Sequence, residues 1–257
     1  MIPKTIHYCW FGEGDKPELF YRCLKSWKKY CPDYEIIEWN ENNYDISQNT
    51  YVYEAYKAKK WAFVTDYVRL WVIYNYGGVY LDTDVELVNN LDNLLSDPAF
   101  LGFEDDKNIN TGLGFGAEKG NFIINCMLKS YDKIHFQKKD GRYDLTTCPV
   151  RNTNAIEHLF PQDMDPNKVT KIEGAVLYPP EYFCPLDHYG VNLRKTKNTY
   201  SIHWFSATWL TDDEQIVHEY RIFRKKCEKL FGENAGRYIA QVIYLFHPKK
   251  RKVLQRM

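Results

Sequence analysis

Residues 2–10 are dense in β-branched and aromatic side chains and predict a first strand. A glycine-containing turn follows at 11–14. Pro17 then opens a helix reaching about Tyr30, with Leu19, Cys23, Trp27 and Tyr30 on one apolar face. Residues 34–39 predict a second strand and 40–49 a polar loop. A long helical stretch over about 52–76, broken at most once, carries Ala55, Ala58, Ala62, Val68, Leu70, Trp71, Ile73 and Tyr74, and Gly77-Gly78 ends it. Val79-Tyr80-Leu81 is a short apolar strand leading into Asp82-Thr83-Asp84, and 85–88 continues extended. Further strands are predicted at 99–103 and 113–117, and a helix at 122–136. Residues 140–200 are Pro-rich and turn-rich, with short strands at 168–172 and 175–178, and the chain is helical from about Thr211.

Strand and helix thus alternate through the first half, the pattern of a parallel or mixed sheet covered by helices, an α/β fold. The 257 residues suffice for one large domain or two small ones. Lys plus Arg and Asp plus Glu both total 34, a balance that gives no support for a nucleic-acid partner. The seven Trp, 21 Tyr and 14 Phe are mostly packing material, though some suit stacking on bases or sugar rings. Seven scattered Cys without a C-x-x-C pair argue against zinc and a disulfide framework, and suit free thiols in a reducing cytoplasm. The first ten residues read as a strand rather than a signal peptide, and no stretch approaches the ~18 apolar residues of a membrane span.

Three segments carry candidate chemistry. In the strongest, Asp82 and Asp84 leave the end of a dry strand; in an extended chain, residues two apart point the same way. Paired carboxylates at a strand's carboxyl end suit Mg2+ or Mn2+ bridging to a diphosphate. Asp66 and Arg69 share a face of the preceding helix, either as a plain salt bridge or as a pair that meets a ribose and a phosphate or sugar. The third, residues 201–209, gathers His203, several hydroxyls and two indoles; alone, its His reads more readily as structural than as a ligand. The Gly-rich Asn108–Gly116 stretch lacks a following Lys-Ser or Lys-Thr and is not a P-loop; its Asn side chains, Asn110 among them, are candidates for acceptor or donor-sugar contact.

These segments together resemble glycosyltransferase family 32, sugar transferases with a D-x-D motif related to initiating mannosyltransferases and clostridial glucosylating toxins. The resemblance rests on Ile2-Pro3-Lys4-Thr5-Ile6-His7 with Trp10, on Ala62 through Arg69, on Tyr76 through Asp84, and on His203-Trp204 with Ser206 and Trp209. It implies a GT-A-like nucleotide-sugar-binding sandwich with a mixed central sheet over residues 1–210, and a helical C-terminal extension at 211–257. It also implies retention of anomeric configuration, with Trp10 stacking on the base, Asp66 and Arg69 contacting ribose and donor sugar, and Asp82 contacting the ribose or the metal. Asp84 and His203 would hold Mn2+ or Mg2+, and Ser206 and Trp209 would cover the diphosphate. The expected partners are a nucleotide-sugar donor, with uridine diphosphate favoured by Trp10, and a saccharide or lipid-linked saccharide acceptor in surface polysaccharide synthesis. The expected setting is cytoplasmic, at the inner face of a membrane.

Two readings compete. A haloacid-dehalogenase-like phosphatase also uses an apolar strand followed by D-x-D, but on its first strand; here two strands come earlier. A non-catalytic saccharide-binding module would use the aromatics but not the paired carboxylates. At the C-terminus, Ile239, Val242, Ile243, Leu245 and Phe246 precede His247-Pro248-Lys249-Lys250-Arg251-Lys252: either a packed terminal helix with a solvated tail or an anionic-membrane contact.

Overall fold

A computed structural model describes residues 1–207, 210 and 212–246. The chain divides into two compact units, residues 1–185 with 195–203, and residues 186–194 with 204–257. Among the described residues no helix is long and apolar enough to cross a membrane.

The first unit is α/β. Strand β1 (Thr5–Cys9) leads through helix α1 (Glu18–Tyr30) to β2 (Glu35–Trp39), and the two strands pair in parallel. Helices α2 (Thr50–Lys57) and α3 (Trp61–Tyr76) then carry the chain to β3 (Gly78–Tyr80), which lies parallel to β1 on its other edge. The order of connection therefore reverses at β1, the kind of switch point at which open α/β sheets bind ligands beyond the carboxyl ends of their strands. Strands β4 (Val85–Leu87), β5 (Ala99–Gly102) and β6 (Phe115–Ala117) follow, then α4 (Phe122–Lys129) and α5 (Cys148–Glu157). The unit ends with β7 (Thr170–Ile172), β8 (Ala175–Tyr178), α6 (Pro180–Phe183) and β9 (Ser201–His203). Seven strands form one mixed sheet in the order β2-β1-β3-β6-β5-β8-β7, while β4 and β9 form a separate antiparallel pair.

Apolar residues surround most of α3, which buries Phe63, Val64, Val68, Leu70, Val72 and Ile73. The predicted single break falls between α2 and α3, where Lys59 takes a left-handed φ of 55°. Gly77 and Gly78, with φ of 72° and 100°, turn the chain from α3 into β3. A Cβ on Gly78 would lie 2.8 Å from the Thr5 carbonyl oxygen, so only glycine lets β3 approach β1 this closely. The helix predicted over 122–136 stops at Lys129; Ser130, Tyr131 and Asp132 close tight turns and Lys133 has φ of 61°. Helix α5 was not visible in the apolar pattern, because its buried face includes Asn152 and Thr153. Those side chains hydrogen-bond Thr111 and the Ile109 backbone N–H. All seven cysteines are free.

His7 ties this corner together. Its Nδ1 accepts from the Trp39 indole at 3.1 Å, so Nε2 carries the proton and donates to the Gly77 carbonyl at 3.0 Å. Burial pushes its pKa down from the usual 6.5 to about 4. A folded-state pKa below the unfolded one means stability is full above pH 6.5 and is lost as pH falls toward 4, by about 3 kcal/mol. His7→Gln keeps an acceptor and a donor but cannot titrate. Chemical denaturation at pH 7 and pH 4 should show a smaller pH-dependent loss in that variant; an equal loss would remove His7 as the source.

The described residues of the second unit include a short turn at 186–194 and the helices α7 (Asp212–Phe231) and α8 (Glu233–Leu245), joined at Gly232. Lys229 fastens α7 to the turn, donating to the Val191 carbonyl at 3.0 Å and the Asn192 side chain at 2.8 Å.

Candidate active site

The D-x-D segment is not extended. The Val85 N–H donates back to the Asp82 carbonyl at 3.0 Å, closing a tight turn from the end of β3 into β4. The two carboxylates converge through this turn rather than through strand alternation. The ladder between β4 and β9 supplies the third group. Val85 is opposite His203, which sets the imidazole beside Asp84, with Nε2 to Oδ1 at 3.1 Å. One ligand atom from each of Asp82, Asp84 and His203 lies within 4.8 Å of the others. Donors bound about 2.1 Å from one ion stand about 3–4.2 Å apart, so a small side-chain adjustment closes the triad on a divalent cation.

Asp82 is fixed from behind. Its Oδ1 accepts from the Tyr80 hydroxyl at 3.0 Å and lies 3.3 Å from the Arg69 guanidinium. The same Arg69 nitrogen meets Asp66 at 3.1 Å, and Nε donates to the Thr65 carbonyl. Arg69 is 3% exposed and Asp66 7%, so α3 delivers a buried ion pair beside Asp82. Burial lifts the Asp66 carboxyl to about 6, although Arg69 pulls the other way. Burial also raises Asp82 against the opposing pull of Arg69. For His203 burial acts downward, but Asp84, then Asp82 and Glu104, outweigh it and hold the imidazole above its usual pKa. Asp66 and Asp82 thus share the Arg69 guanidinium while Asp84 meets His203, and three carboxylates against one guanidinium, together with an imidazole, suit Mn2+ or Mg2+. A metal would compete with the proton between Asp84 and His203, so its affinity should rise with pH.

Asn110 joins this centre from the far side. Its Oδ1 accepts from the Gly112 N–H at 2.6 Å and from the Cys148 thiol at 3.5 Å, and its amide donates to Glu104 at 3.2 Å. Cys148 in turn lies 3.8 Å from Arg69 Nη1. Trp10 stands at the end of β1, its indole donating to the Gly14 carbonyl at 2.7 Å and Lys16 lying 5.8 Å from its ring centroid. Ser206 belongs to the second unit, where Gln215 donates to its carbonyl at 3.5 Å. Trp209 lies outside the described residues.

Sequence reasoning missed three groups. Tyr80 was findable, since it ends β3 two residues before Asp82. Cys148 sits in the turn-rich stretch without periodicity. Glu104 follows β5 in a polar loop, and its charge reaches both Cys148 and His203.

Residues 17–101 match the family described as "Glycosyltransferase sugar-binding region containing DXD motif". "Inositol phosphoceramide mannosyltransferase 3" of Schizosaccharomyces pombe is 28% identical over 146 residues, 52% of this chain and 38% of that protein. "Mannosyl phosphorylinositol ceramide synthase SUR1" of Saccharomyces cerevisiae is 30% identical over 142 residues, 53% of this chain and 37% of that protein. The matches therefore span well under half of these relatives' lengths. Among solved structures, "PaToxG Glycosyltransferase" is 18% identical, with a TM-score of 0.49 over 62% of this chain and 70% of that one. Asp66, Arg69, Asp82 and Asp84 all lie inside the segment that matches this family.

Proposed function

We propose that this protein is a metal-dependent retaining glycosyltransferase that moves a sugar from a nucleotide diphosphate donor to a saccharide or lipid-linked saccharide. The observation that carries the reading is the convergence of Asp82, Asp84 and His203 above the Arg69–Asp66 pair. Asp82, Asp84 and His203 would hold Mn2+ or Mg2+, which neutralises charge on the departing diphosphate. Arg69 and Tyr80 hold the Asp82 carboxylate in place, so the site is organised before donor arrives. Asp66 and Arg69 border the donor sugar, and Asn110 faces the donor sugar or the acceptor.

A uridine diphosphate sugar is the proposed donor, with surface polysaccharide assembly at the cytoplasmic face of a membrane as the setting. The relatives' names add mannose to the donors and an inositol-phosphate-bearing lipid to the acceptors worth testing. Hydrolysis of a panel of nucleotide sugars, including mannosyl donors, with manganese and with excess chelator is the direct test. Turnover of no donor, or equal turnover in chelator, overturns the reading.

Two variants examine separate parts. Trp10→Ala should weaken donor binding by ~1–3 kcal/mol, the worth of one base stacked on an aromatic, with little change in kcat. Unchanged donor affinity by calorimetry would take Trp10 out of the site. His203→Ala should raise the manganese needed for half-maximal rate about tenfold or more. If the titration curve stays put in a variant of normal Tm, His203 is scaffold only.

A further inference from the structure

The second unit carries an exposed apolar surface. Helix α8 lies on α7 through Gly236, Ala240 and Tyr244. Ala240 is fully buried, and Tyr244 packs its ring 4.9 Å from that of Tyr220. The backbones come so close at Gly236 that an added Cβ would stand 2.3 Å from the Glu228 nitrogen.

On the other side of α8, Ala235, Tyr238, Ile239, Val242 and Phe246 follow one another at three- and four-residue spacing, which makes a single stripe. Tyr238 is 69% exposed and Phe246 79%, while Ile239 and Val242 are half-buried. Helix α8 is therefore apolar on two sides, one covered by α7 and one open. Polar positions are confined to a margin, where Arg237 pairs with Glu233 at 2.8 Å. Leu230 and Phe231, 75% and 56% exposed, add apolar surface at the tip of the hairpin. An open stripe of this kind marks a docking surface.

The chain that follows indicates the occupant. Residues 247–257 contain Lys249, Lys250, Arg251, Lys252 and Arg256 and no Asp or Glu. An apolar helix face with aromatic residues, continued by a run of cations, matches an anionic lipid surface. The side chains enter the boundary between headgroups and acyl chains, and the cations meet the headgroups. A second copy of this chain would bring two like-charged segments together, which repel. At 13 residues α8 is too short to span a bilayer and suits lying in its plane.

We propose that the α7–α8 hairpin docks the protein on an anionic membrane through Tyr238, Ile239, Val242 and Phe246, with residues 249–256 at the headgroups. This docking does not depend on the sugar-transfer reading, because vesicle binding is measured without turnover. The test is co-sedimentation of the full chain with phosphatidylcholine vesicles, with and without phosphatidylserine. Binding should require phosphatidylserine and weaken with salt. Tyr238→Glu with Phe246→Glu should reduce it about tenfold or more at unchanged Tm. Replacing Lys249, Lys250, Arg251 and Lys252 by Ser should reduce it by a hundredfold or more. Failure to bind anionic vesicles overturns the proposal, as does binding indifferent to both sets of substitutions. A dimer in sedimentation equilibrium that Val242→Glu disperses would assign the stripe to a second copy instead.

Discussion

Asp84→Ala is expected to lower sugar transfer about a thousandfold or more while leaving the protein folded. Asp84 is only 9% exposed, and its carboxylate meets His203, a group that can release its proton when the carboxylate is lost. The variant should therefore melt within a few degrees of the parent, with β4 and β9 still paired. What it loses is a hard oxygen at the point where three ligands meet. Asp84→Asn keeps the size and one oxygen but not the charge, and should fall nearly as far. Rates measured across a manganese titration check this: a variant that recovers full activity at any metal concentration would show that the pair is not the metal site.

Gly112→Ala should damage the site although it removes no functional group. The new Cβ would stand 2.6 Å from Asp82 Oδ2, 3.0 Å from Arg69 Nη1 and 3.0 Å from Asn110 Oδ1. Carbon cannot sit so close to oxygen, and the carboxylate has no easy retreat. Arg69 and Tyr80 hold its other oxygen, and Arg69 is itself anchored by Asp66 and Thr65. The added methyl group should cost about 1–3 kcal/mol of stability and about a hundredfold in kcat, the usual penalty for moving a catalytic group by roughly 1 Å. Thermal denaturation and steady-state kinetics on the same preparation separate the two effects. A rate equal to that of the parent would mean that the Asp82 carboxylate shifts freely, against the tight hold described above.

Much of the first unit was legible because its elements are strongly patterned. The apolar face of α1 includes Cys23 and Trp27, both fully buried, and the dry strand before Asp82 is β3. The glycine pair at 77–78 marked the end of α3 correctly, since both residues need positive φ. Less legible was anything settled by distant partners. Asp82 and Asp84 come together through a backbone turn, which spacing along a strand does not reveal. Asn152 and Thr153 are buried in α5 because loop residues 109–111 need their hydrogen bonds, so polarity misdirected the reading there. Cys148 and Glu104 reach the centre by the packing of α5 and the loop after β5, neither of which has a periodic signal. His203 read alone as a structural histidine; only its strand pairing explains why it meets Asp84.

The pairing of β4 with β9 has a consequence for assembly. Asp84 and His203 are roughly 120 residues apart in sequence, and bringing such distant residues together costs loop-closure entropy. The ladder between them is three residues long, so its register rests on few hydrogen bonds. A slip of one residue would put Ile202 or Trp204 opposite Val85 and turn the imidazole to the other face. A cation held by all three side chains would bind only the correct register, and so would act as a clasp on the finished fold. Its presence should raise Tm by mass action even when no sugar nucleotide is bound. A fragment ending before Ser201 would keep the D-x-D turn but have nothing with which to fasten it.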